Sequence, residues 1–473
     1  MEESHHRIKF KNQLVQDLHL TMSYVQKFGQ FAANAQYASL PADVVSGAKL
    51  RILDVIAAAC AAIQLGKEQE LTRLLDTAGS VSVWGANSSR SMRDAVIINT
   101  ASAHACYFED GSRYTGGHPA SAVIPGMIAL AQGRQVSGKA LLTSIVVGYE
   151  LFLRLGRAIY PSTVKRGFQS TSILAAPSCA AAAANLLGLT AQQSSDAIGI
   201  GCSHGAGLKE ALKSADSQPF QVGRSAEGGI LSALYAQLGV HGAPEIFEQG
   251  FLKAFSQDPQ LQDLDVELGS RWSLEETYLK IHGGCRGNHA PVDATALLIE
   301  QNVFSINDIE HIEAYVDSVT YAAAIEPPQS GEDAQFSIGF SIAVRLLKGD
   351  ALPARYAMTT LMEPAVRSLI ERIRVMPSTE LDVGYPERRP SVVKIRFRDG
   401  RSLVQQLDHA KGEPENPTST DDIRKKYHHL AFPVFGAATE QIEQLIFSLE
   451  QHSNIDALAQ LLRNSTVTKR TSI

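Results

Sequence analysis

The sequence predicts a mainly α-helical protein with a large helical domain, interrupted in the sequence, and a smaller α+β domain. Residues 1–276 are rich in alanine and carry helical periodicity. Residues 277–408 contain stretches that alternate apolar and polar side chains, as half-buried strands do, and residues 409–473 return to helical periodicity. We therefore expect the first and last ranges to form one domain. A ligand site is expected in the cleft beside the middle range, because such sites favour domain interfaces.

Start and stop signals place the helices of the first range. Ser39 is in position to cap a helix with Pro41 in its first turn, and Gly66 follows the apolar run as a stop. Thr190 and Gln193 have the spacing of a capping box at the start of a later helix. The many small side chains let helices approach closely, which indicates a dense helical bundle.

The strand signals lie in the middle range. "IEHIEAYVDSV" alternates as a half-buried strand does. "SVVKIRFRDGRSLVQQL" also alternates, and its Asp399-Gly400 pair is typical of a tight hairpin turn. Between the two, "DAQFSIGFSIAVRLLKG" has helical periodicity and is closed by Gly349. The middle range is therefore predicted to be α+β.

Composition excludes several classes of partner. The chain has 473 residues, enough for two or three domains, and its net charge of -6 argues against a nucleic acid or an anionic membrane. The odd number of thinly spread cysteines predicts reduced thiols in the cytoplasm. "MEESHHRIKFKNQ" lacks the apolar region of a secretory signal. "LRILDVIAAACAAIQLG" is interrupted by Arg51 and Asp54 and predicts a buried helix, because a membrane span needs roughly 20 apolar residues.

"GCSHG", residues 201–205, matches the pattern of a nucleophile elbow around Ser203. That motif follows a strand, whereas the residues before it have helical character. We interpret the match as accidental and the glycines as helix-packing residues. Walker A and G-x-G-x-x-G patterns are missing from the sequence, so nucleotide cofactors have no support.

"HGGCRGNH" offers His282, Cys285 and His289 at a spacing that could hold zinc. A structural zinc site needs four ligands, and no second cluster lies close in the sequence. With Lys280 and Arg286, the same glycine-rich segment is better interpreted as an anion-binding loop that holds carboxylates. The remaining alternative is a domain crossover with solvated charges.

The loop "HACYFEDGSRYTGGHPASAV" is polar and lies between two helical flanks. Polar loops of this length inside a compact domain are often functional. Its His118 can take or give a proton near neutral pH, so it is a candidate for proton transfer. The alternative role for His118 is to cap the helix that follows.

Six segments in order carry a resemblance to a known family: "LPADVVSGAKLRILDVIAAA", "NTASAHACYFEDGSRYTGGHPASAVIPGMIALAQ", "GFQSTSILAAPSCAAAAANLLGL", "QPFQVGRSAEGGILSALYA", "KIHGGCRGNHAPVDA" and "FSIGFSIAVRLLKG". From about Tyr24 to about Leu462 the chain resembles the MmgE/PrpD family. The resemblance implies a helical domain, a lid domain over the α+β range, a homodimer, and no metal or organic cofactor. Members remove a proton next to a carboxylate and then lose water, lose CO₂ or reprotonate.

Transfer of the family pattern, position by position, shows matches and replacements. His104, Asp110, His118, Pro119, Lys280, Arg286, His289 and Asp293 match, Tyr321 matches a tyrosine that faces the site, and Cys285 falls where members have cysteine or histidine. Neutral groups replace family residues at four positions: Tyr107 for aspartate, Gln169 for histidine, Gln218 for lysine and Gln221 for histidine. Lost cations weaken the hold on carboxylates. The replacements therefore predict a substrate with fewer carboxylates than a tricarboxylate, or a changed order of acid and base.

The sequence thus predicts a cofactor-independent lyase, of dehydratase or decarboxylase type, acting on a small carboxylated or carbonyl-bearing metabolite. We expect His118 to transfer the proton, and Tyr107 and Tyr321 to donate hydrogen bonds or protons. Lys280 and Arg286 would hold the remaining carboxylate. The other predicted substrate-binding residues are Asp110, Gln169, Gln218, Gln221, Cys285 and His289.

Two alternatives remain open at this stage. An isomerase, epimerase or cyclase would use the same deprotonation but return the proton or close a ring. A catalytically inactive binding protein on the same fold is the second alternative, motivated by the four neutral replacements.

Overall fold

The computed structural model describes residues 22–67, 69–213, 217–262 and 264–466. The N-terminal segment discussed above lies outside these ranges. The mainly α-helical fold with a smaller α+β part is confirmed. The first half of the chain forms α1 Tyr24–Asn34, α2 Ala42–Gln64, α3 Gln69–Leu74, α4 Met92–His104, α5 Pro119–Ala131, α6 Gly138–Ile159, α7 Ser162–Lys165, α8 Ser170–Leu186, α9 Ala191–Gly201, α10 Gln218–Gln237 and α11 Leu252–Phe255, with a small hairpin of β1 Val81–Val83 and β2 Ser88–Arg90.

The helix signals are confirmed in part. The predicted capping box closes on the first turn of α9, where the Thr190 and Gln193 side chains bond each other's backbone N–H groups. Helix α2 ends at Gln64, just before Gly66. The predicted cap at Ser39 is wrong: the Ser39 hydroxyl donates to the Gln36 carbonyl over 2.7 Å inside a 3₁₀ turn, and α2 begins after Pro41.

The middle of the chain forms the α+β part. Its sheet has the strand order β4 Ile373–Pro377, β3 Ile309–Val316, β5 Ser391–Phe397 and β6 Ser402–Leu407. Strands β3 and β4 are parallel, and the other neighbours are antiparallel. The predicted hairpin is confirmed, because β5 and β6 pair from Ser391↔Leu407 to Arg396↔Ser402 around the Asp399-Gly400 turn. The elements are α12 His289–Gln301, β3 Ile309–Val316, α13 Ser318–Ala323, α14 Gly331–Ala334, α15 Ile338–Lys348, α16 Met358–Leu361, α17 Pro364–Ile370, β4 Ile373–Pro377, β5 Ser391–Phe397 and β6 Ser402–Leu407.

The last helices return to the helical part. They are α18 Thr420–Phe435, α19 Ala438–Phe447 and α20 Asp456–Arg463. One buried apolar cluster contains side chains from residues 25–279 together with side chains from residues 423–462. A second cluster lies between the four-stranded sheet and α12, α15 and α17, and a third lies among the helices of the α+β part. The proposed boundaries at 276 and 408 stay predictions.

Three further features bear on the sequence analysis. All five cysteines are free thiols, and four of them are buried. None of the helices in the described ranges is long and apolar enough to cross a membrane. The residues before Ser203 form helix α9, so the nucleophile-elbow pattern lacks the strand that it requires.

Candidate active site

The polar loop between α4 and α5 is pinned to the helical part at Asp110. One carboxylate oxygen of Asp110 accepts from the Ala120 N–H over 3.0 Å, and the other accepts from the Tyr149 hydroxyl over 2.9 Å. The Arg51 Nε lies 3.7 Å from the same carboxylate. Burial raises the pKa of Asp110 to about 7, against the lowering effect of Arg51. Since this side chain is fully buried and bonded on both oxygens, we infer that it positions the loop.

His118 is held with one ring nitrogen free. Its Nδ1 lies 2.6 Å from the Asp110 carbonyl oxygen, so Nδ1 carries the proton and donates it. The His118 N–H donates to the Thr171 hydroxyl over 3.2 Å. No described residue bonds to its Nε2, and the side chain is 15% exposed. Burial, together with the charge of Lys280, lowers the pKa of His118 to about 3. His118 is therefore neutral, with its lone pair on an accessible Nε2.

The alternative capping role for His118 is not seen. His118 occupies the N-cap position of α5 but makes no side-chain hydrogen bond to that helix.

A chain of buried hydrogen bonds lies beside His118. The Tyr107 hydroxyl donates to Oε1 of Gln218 over 3.0 Å, and Nε2 of Gln218 donates to Nε2 of His104 over 2.9 Å. Nδ1 of His104 then donates to Glu109. The rings of His104 and His118 are 5.3 Å apart. Burial acts to raise the pKa of Glu109, but its contact with His104 and the charge of Lys280 hold it below its usual range, so Glu109 is a carboxylate.

Lys280, which is 173 positions after Tyr107 in the sequence, contacts the same loop. Its ammonium donates to the Tyr107 carbonyl, and to the Gly284 carbonyl over 3.3 Å. Tyr107 has a positive φ of 49°, a conformation that costs energy in a side chain of this size and is often found at functional sites. Burial lowers the pKa of Lys280 to about 8, although Glu109 acts to raise it. His118, Tyr107 and Lys280 are therefore brought together.

Arg286 is already paired. It forms an ion pair with Glu413 and lies over the Tyr278 ring at 4.9 Å. Glu413 also lies 3.4 Å from Arg113. The predicted role of Arg286 in binding a substrate carboxylate stays a prediction, and its charge has a buried partner within the protein.

Three other predicted residues lie in different environments. Gln169 caps α8, since its Oε1 accepts from the Ser172 N–H over 2.6 Å. Gln221 lines a cavity of about 720 Å³ with Gly207 and Leu208, and its buried Oε1 has no hydrogen-bond partner. Tyr321 lies on α13 and is 43% exposed.

The segment that could have held zinc has other contacts. His282 bonds to Asp293 over 2.7 Å, and the rings of His282 and His289 are 5.4 Å apart. His289 is fully buried with neither ring nitrogen hydrogen-bonded, and burial lowers its pKa well below the ordinary value. Cys285 is half-buried. Within the described ranges, no group of three or more histidine, cysteine or acidic side chains could hold a metal ion.

Sequence reasoning missed three side chains of this site. It did not assign a role to His104 or Glu109, which complete the hydrogen-bonded chain. It also missed Phe336, whose ring lies 5.7 Å from that of Tyr107. The signal for the first two was available: a histidine and an acid at the end of an alanine-rich helix must find partners if they are buried.

Two family models cover most of the chain. The MmgE/PrpD N-terminal domain matches residues 26–264, and the MmgE/PrpD C-terminal domain matches residues 282–451. The chain belongs to the MmgE/PrpD family. Among characterised relatives of this family member, a cis-aconitate decarboxylase of Aspergillus terreus is 28% identical over 91% of this chain and 94% of that protein. A cis-aconitate decarboxylase of Mus musculus is 25% identical over 85% of each chain. These relatives support a lyase of the decarboxylase or dehydratase type.

Proposed function

We propose that this family member is a cofactor-independent lyase that removes a proton next to a carboxylate or carbonyl of a small metabolite. The observation that carries the proposal is the state of His118. Its Nδ1–H is engaged by the Asp110 carbonyl at 2.6 Å, which leaves Nε2 as the unprotonated, accessible nitrogen. General-base catalysis needs a lone pair held in a fixed direction and within reach of the substrate.

Substrate binding would strengthen this base. A pKa of about 3 makes free His118 a weak proton acceptor. Besides burial, the charge of Lys280 is the main cause of that low value. A substrate carboxylate bound near Lys280 would cancel part of this charge and raise the pKa of His118 towards neutrality. The base would then be active only when the substrate is in place.

The site is suited to a substrate with fewer carboxylates than cis-aconitate. The family resemblance places an aspartate and a lysine at positions 107 and 218. In this chain the two replacements contact each other, since the Tyr107 hydroxyl donates to Gln218 over 3.0 Å. Two opposite charges have thus been exchanged for one neutral hydrogen bond. Lys280 remains as a buried cation, so its charge would still attract one carboxylate of the substrate.

The test compares wild-type protein with His118→Ala and a matched control, His241→Ala, whose side chain is 81% exposed. Each is incubated in D₂O with a small-acid extract of the host, and mass spectrometry follows compounds that lose water or CO₂. We expect His118→Ala to lose turnover by about 10²–10⁴-fold and the control to keep it. Deuterium exchange without loss of either group would instead support an isomerase. Equal turnover in wild type and His118→Ala would remove His118 from the role.

A further inference from the structure

A segment of the α+β part, residues 378–390, reaches over the His118 loop. Its Tyr385 hydroxyl lies 2.6 Å from the hydroxyl of Tyr160 on the helical part. The Tyr160 ring in turn packs against Gly116, where a Cβ atom would lie only 2.8 Å from a ring carbon. Because Gly116 is two residues before His118, this contact ties residues 378–390 to the loop that positions the candidate base.

Arg389 ends this segment with most of its donors unused. One terminal nitrogen donates to the Thr320 hydroxyl over 2.7 Å. The buried Nε has no hydrogen-bond partner. Asp317 is 3.9 Å from Nε, beyond hydrogen-bond reach, and its oxygens already accept from the Thr320 N–H at 2.8 Å and hydroxyl at 2.5 Å. A guanidinium has five N–H donors in a planar fork that matches a carboxylate.

The guanidinium of Arg389 also faces the segment that carries Lys280. A Cβ atom at Gly287 would lie 3.6 Å from a terminal nitrogen of Arg389 and 2.8 Å from the Thr320 methyl group. A larger residue at position 287 would collide with Thr320, so this position has to be small for the segment to pack against Thr320 and Arg389. Tyr385, whose ring centroid is 5.8 Å from the Arg389 guanidinium, lies on the other side. The guanidinium thus lies beside residues 280–289 and is linked to the His118 loop through Tyr385 and Tyr160.

The other cations of this region are engaged by the protein. Arg286 is paired with Glu413, and the Lys280 ammonium donates to two backbone carbonyls. The side chain of Lys280 is almost fully buried, whereas that of Arg389 is 22% exposed. Burial acts to lower the pKa of Arg389, but Tyr385 and Asp317 hold it above the ordinary value, so this side chain stays charged.

We propose that Arg389 binds a carboxylate of the substrate across the junction of the two parts, and that it selects small mono- and dicarboxylates. The inference rests on the proposed function and deepens it, because it names the group that takes over the anchoring lost with the cation at position 218. A bidentate carboxylate would use the donors that Thr320 leaves free. Binding there would also hold residues 378–390 against the His118 loop.

The experiment measures binding of succinate, maleate and crotonate, each beside its amide, to the full-length protein by calorimetry. Arg389→Gln keeps a donor for Thr320 but loses the charge, and we expect it to weaken carboxylate binding by about 10–100-fold without changing amide binding. Arg389→Lys keeps the charge but loses the planar pair of donors, so it should weaken carboxylate binding by about 3–10-fold. This variant tests the proposal even if Arg389→Gln does not fold. Arg388→Gln is the control, since Arg388 donates to the Val383 carbonyl at the surface.

Several results would overturn the proposal. They are unchanged carboxylate affinity in Arg389→Gln, an equal loss in Arg388→Gln, or no binding of any carboxylate to wild type. His118→Ala separates this inference from the proposed function, because it should bind carboxylates normally while losing turnover. Suppose that His118→Ala still turns substrate over while Arg389→Gln binds carboxylates poorly. That result would contradict the proposed function but would support the role of Arg389 in carboxylate binding.

Discussion

Restoring charge at positions 107 and 218, separately and together, tests whether these side chains act as one neutral pair. Tyr107 and Gln218 bond over 3.0 Å, and their exposed fractions are 5% and 0%. Tyr107→Asp places a carboxylate against a neutral amide. Gln218→Lys places an ammonium close to Tyr107, whose carbonyl already accepts from Lys280. Each single variant therefore buries a charge while the matching charge at the other position is absent.

The magnitude follows from burial and from the lost contact. An unsatisfied buried polar group costs about 1–3 kcal/mol, and a buried charge without its partner about 3–5 kcal/mol. We expect each single variant to lower the free energy of unfolding by about 2–4 kcal/mol, since the neighbouring polar groups offset part of the charge. In the double variant the two charges face each other, so its loss should be about 1–3 kcal/mol smaller than the sum of the singles.

Urea denaturation of the four proteins gives this coupling directly. Gln237→Lys, an exposed change of the same type on α10, is the control and should stay within about 0.5 kcal/mol of wild type. The double variant should also bind cis-aconitate about 10-fold more tightly than wild type, because a charged hydrogen bond to a carboxylate returns. Single-variant losses that simply add, within about 0.5 kcal/mol, would refute the idea that the two positions form a pair.

Three further predictions use other parts of the site. Glu109→Gln removes the carboxylate that bonds to His104 and lies 3.8 Å from His118, and steady-state kinetics should show at least a tenfold loss of kcat while Glu415→Gln stays near wild type. The pH profile of kcat/KM should be flat through about pH 6.5, because the pKa of free His118 is about 3. It should fall above about pH 8, where Lys280 loses the charge that attracts the substrate carboxylate towards His118. An acidic limb near pH 6.5 would contradict that assignment. Activity should survive prolonged treatment with a chelator. A loss of activity that zinc restores would instead support a zinc site at residues 282–289.

Local patterns were enough for the elements whose signals are local. The hairpin around Asp399-Gly400 and the capping box at Thr190 both depend on residues a few positions apart, and both are found in the structure. The cap at Ser39 failed because a competing local bond was available: its hydroxyl donates to the Gln36 carbonyl instead. A pattern shows which bonds are possible, and the fold decides which of them forms.

The site could be predicted only as a set of residue types. Tyr107 and Gln218 are 111 positions apart, so no spacing in the sequence reveals that they bond to each other. Arg286 resembled a free cation for the same reason, because its partner Glu413 lies 127 positions away. The unused donors of Arg389 became visible only once its neighbours Thr320 and Asp317 were placed. Ion pairing across the chain is set by tertiary contacts that periodicity does not encode.

The buried lysine argues against the interpretation of this protein as an inactive scaffold. Lys280 is 1% exposed and, among the described residues, no carboxylate lies within ion-pair distance of its ammonium. Holding a desolvated charge in that state costs several kcal/mol, whereas an apolar side chain of similar volume would be neutral or stabilising. Tyr107 and Gln218 nearby are neutral and bond to each other, so neither compensates the charge of Lys280. The free-energy cost of a buried ammonium beside an imidazole with a free Nε2 has a physical reason only if an anion binds to the ammonium during turnover.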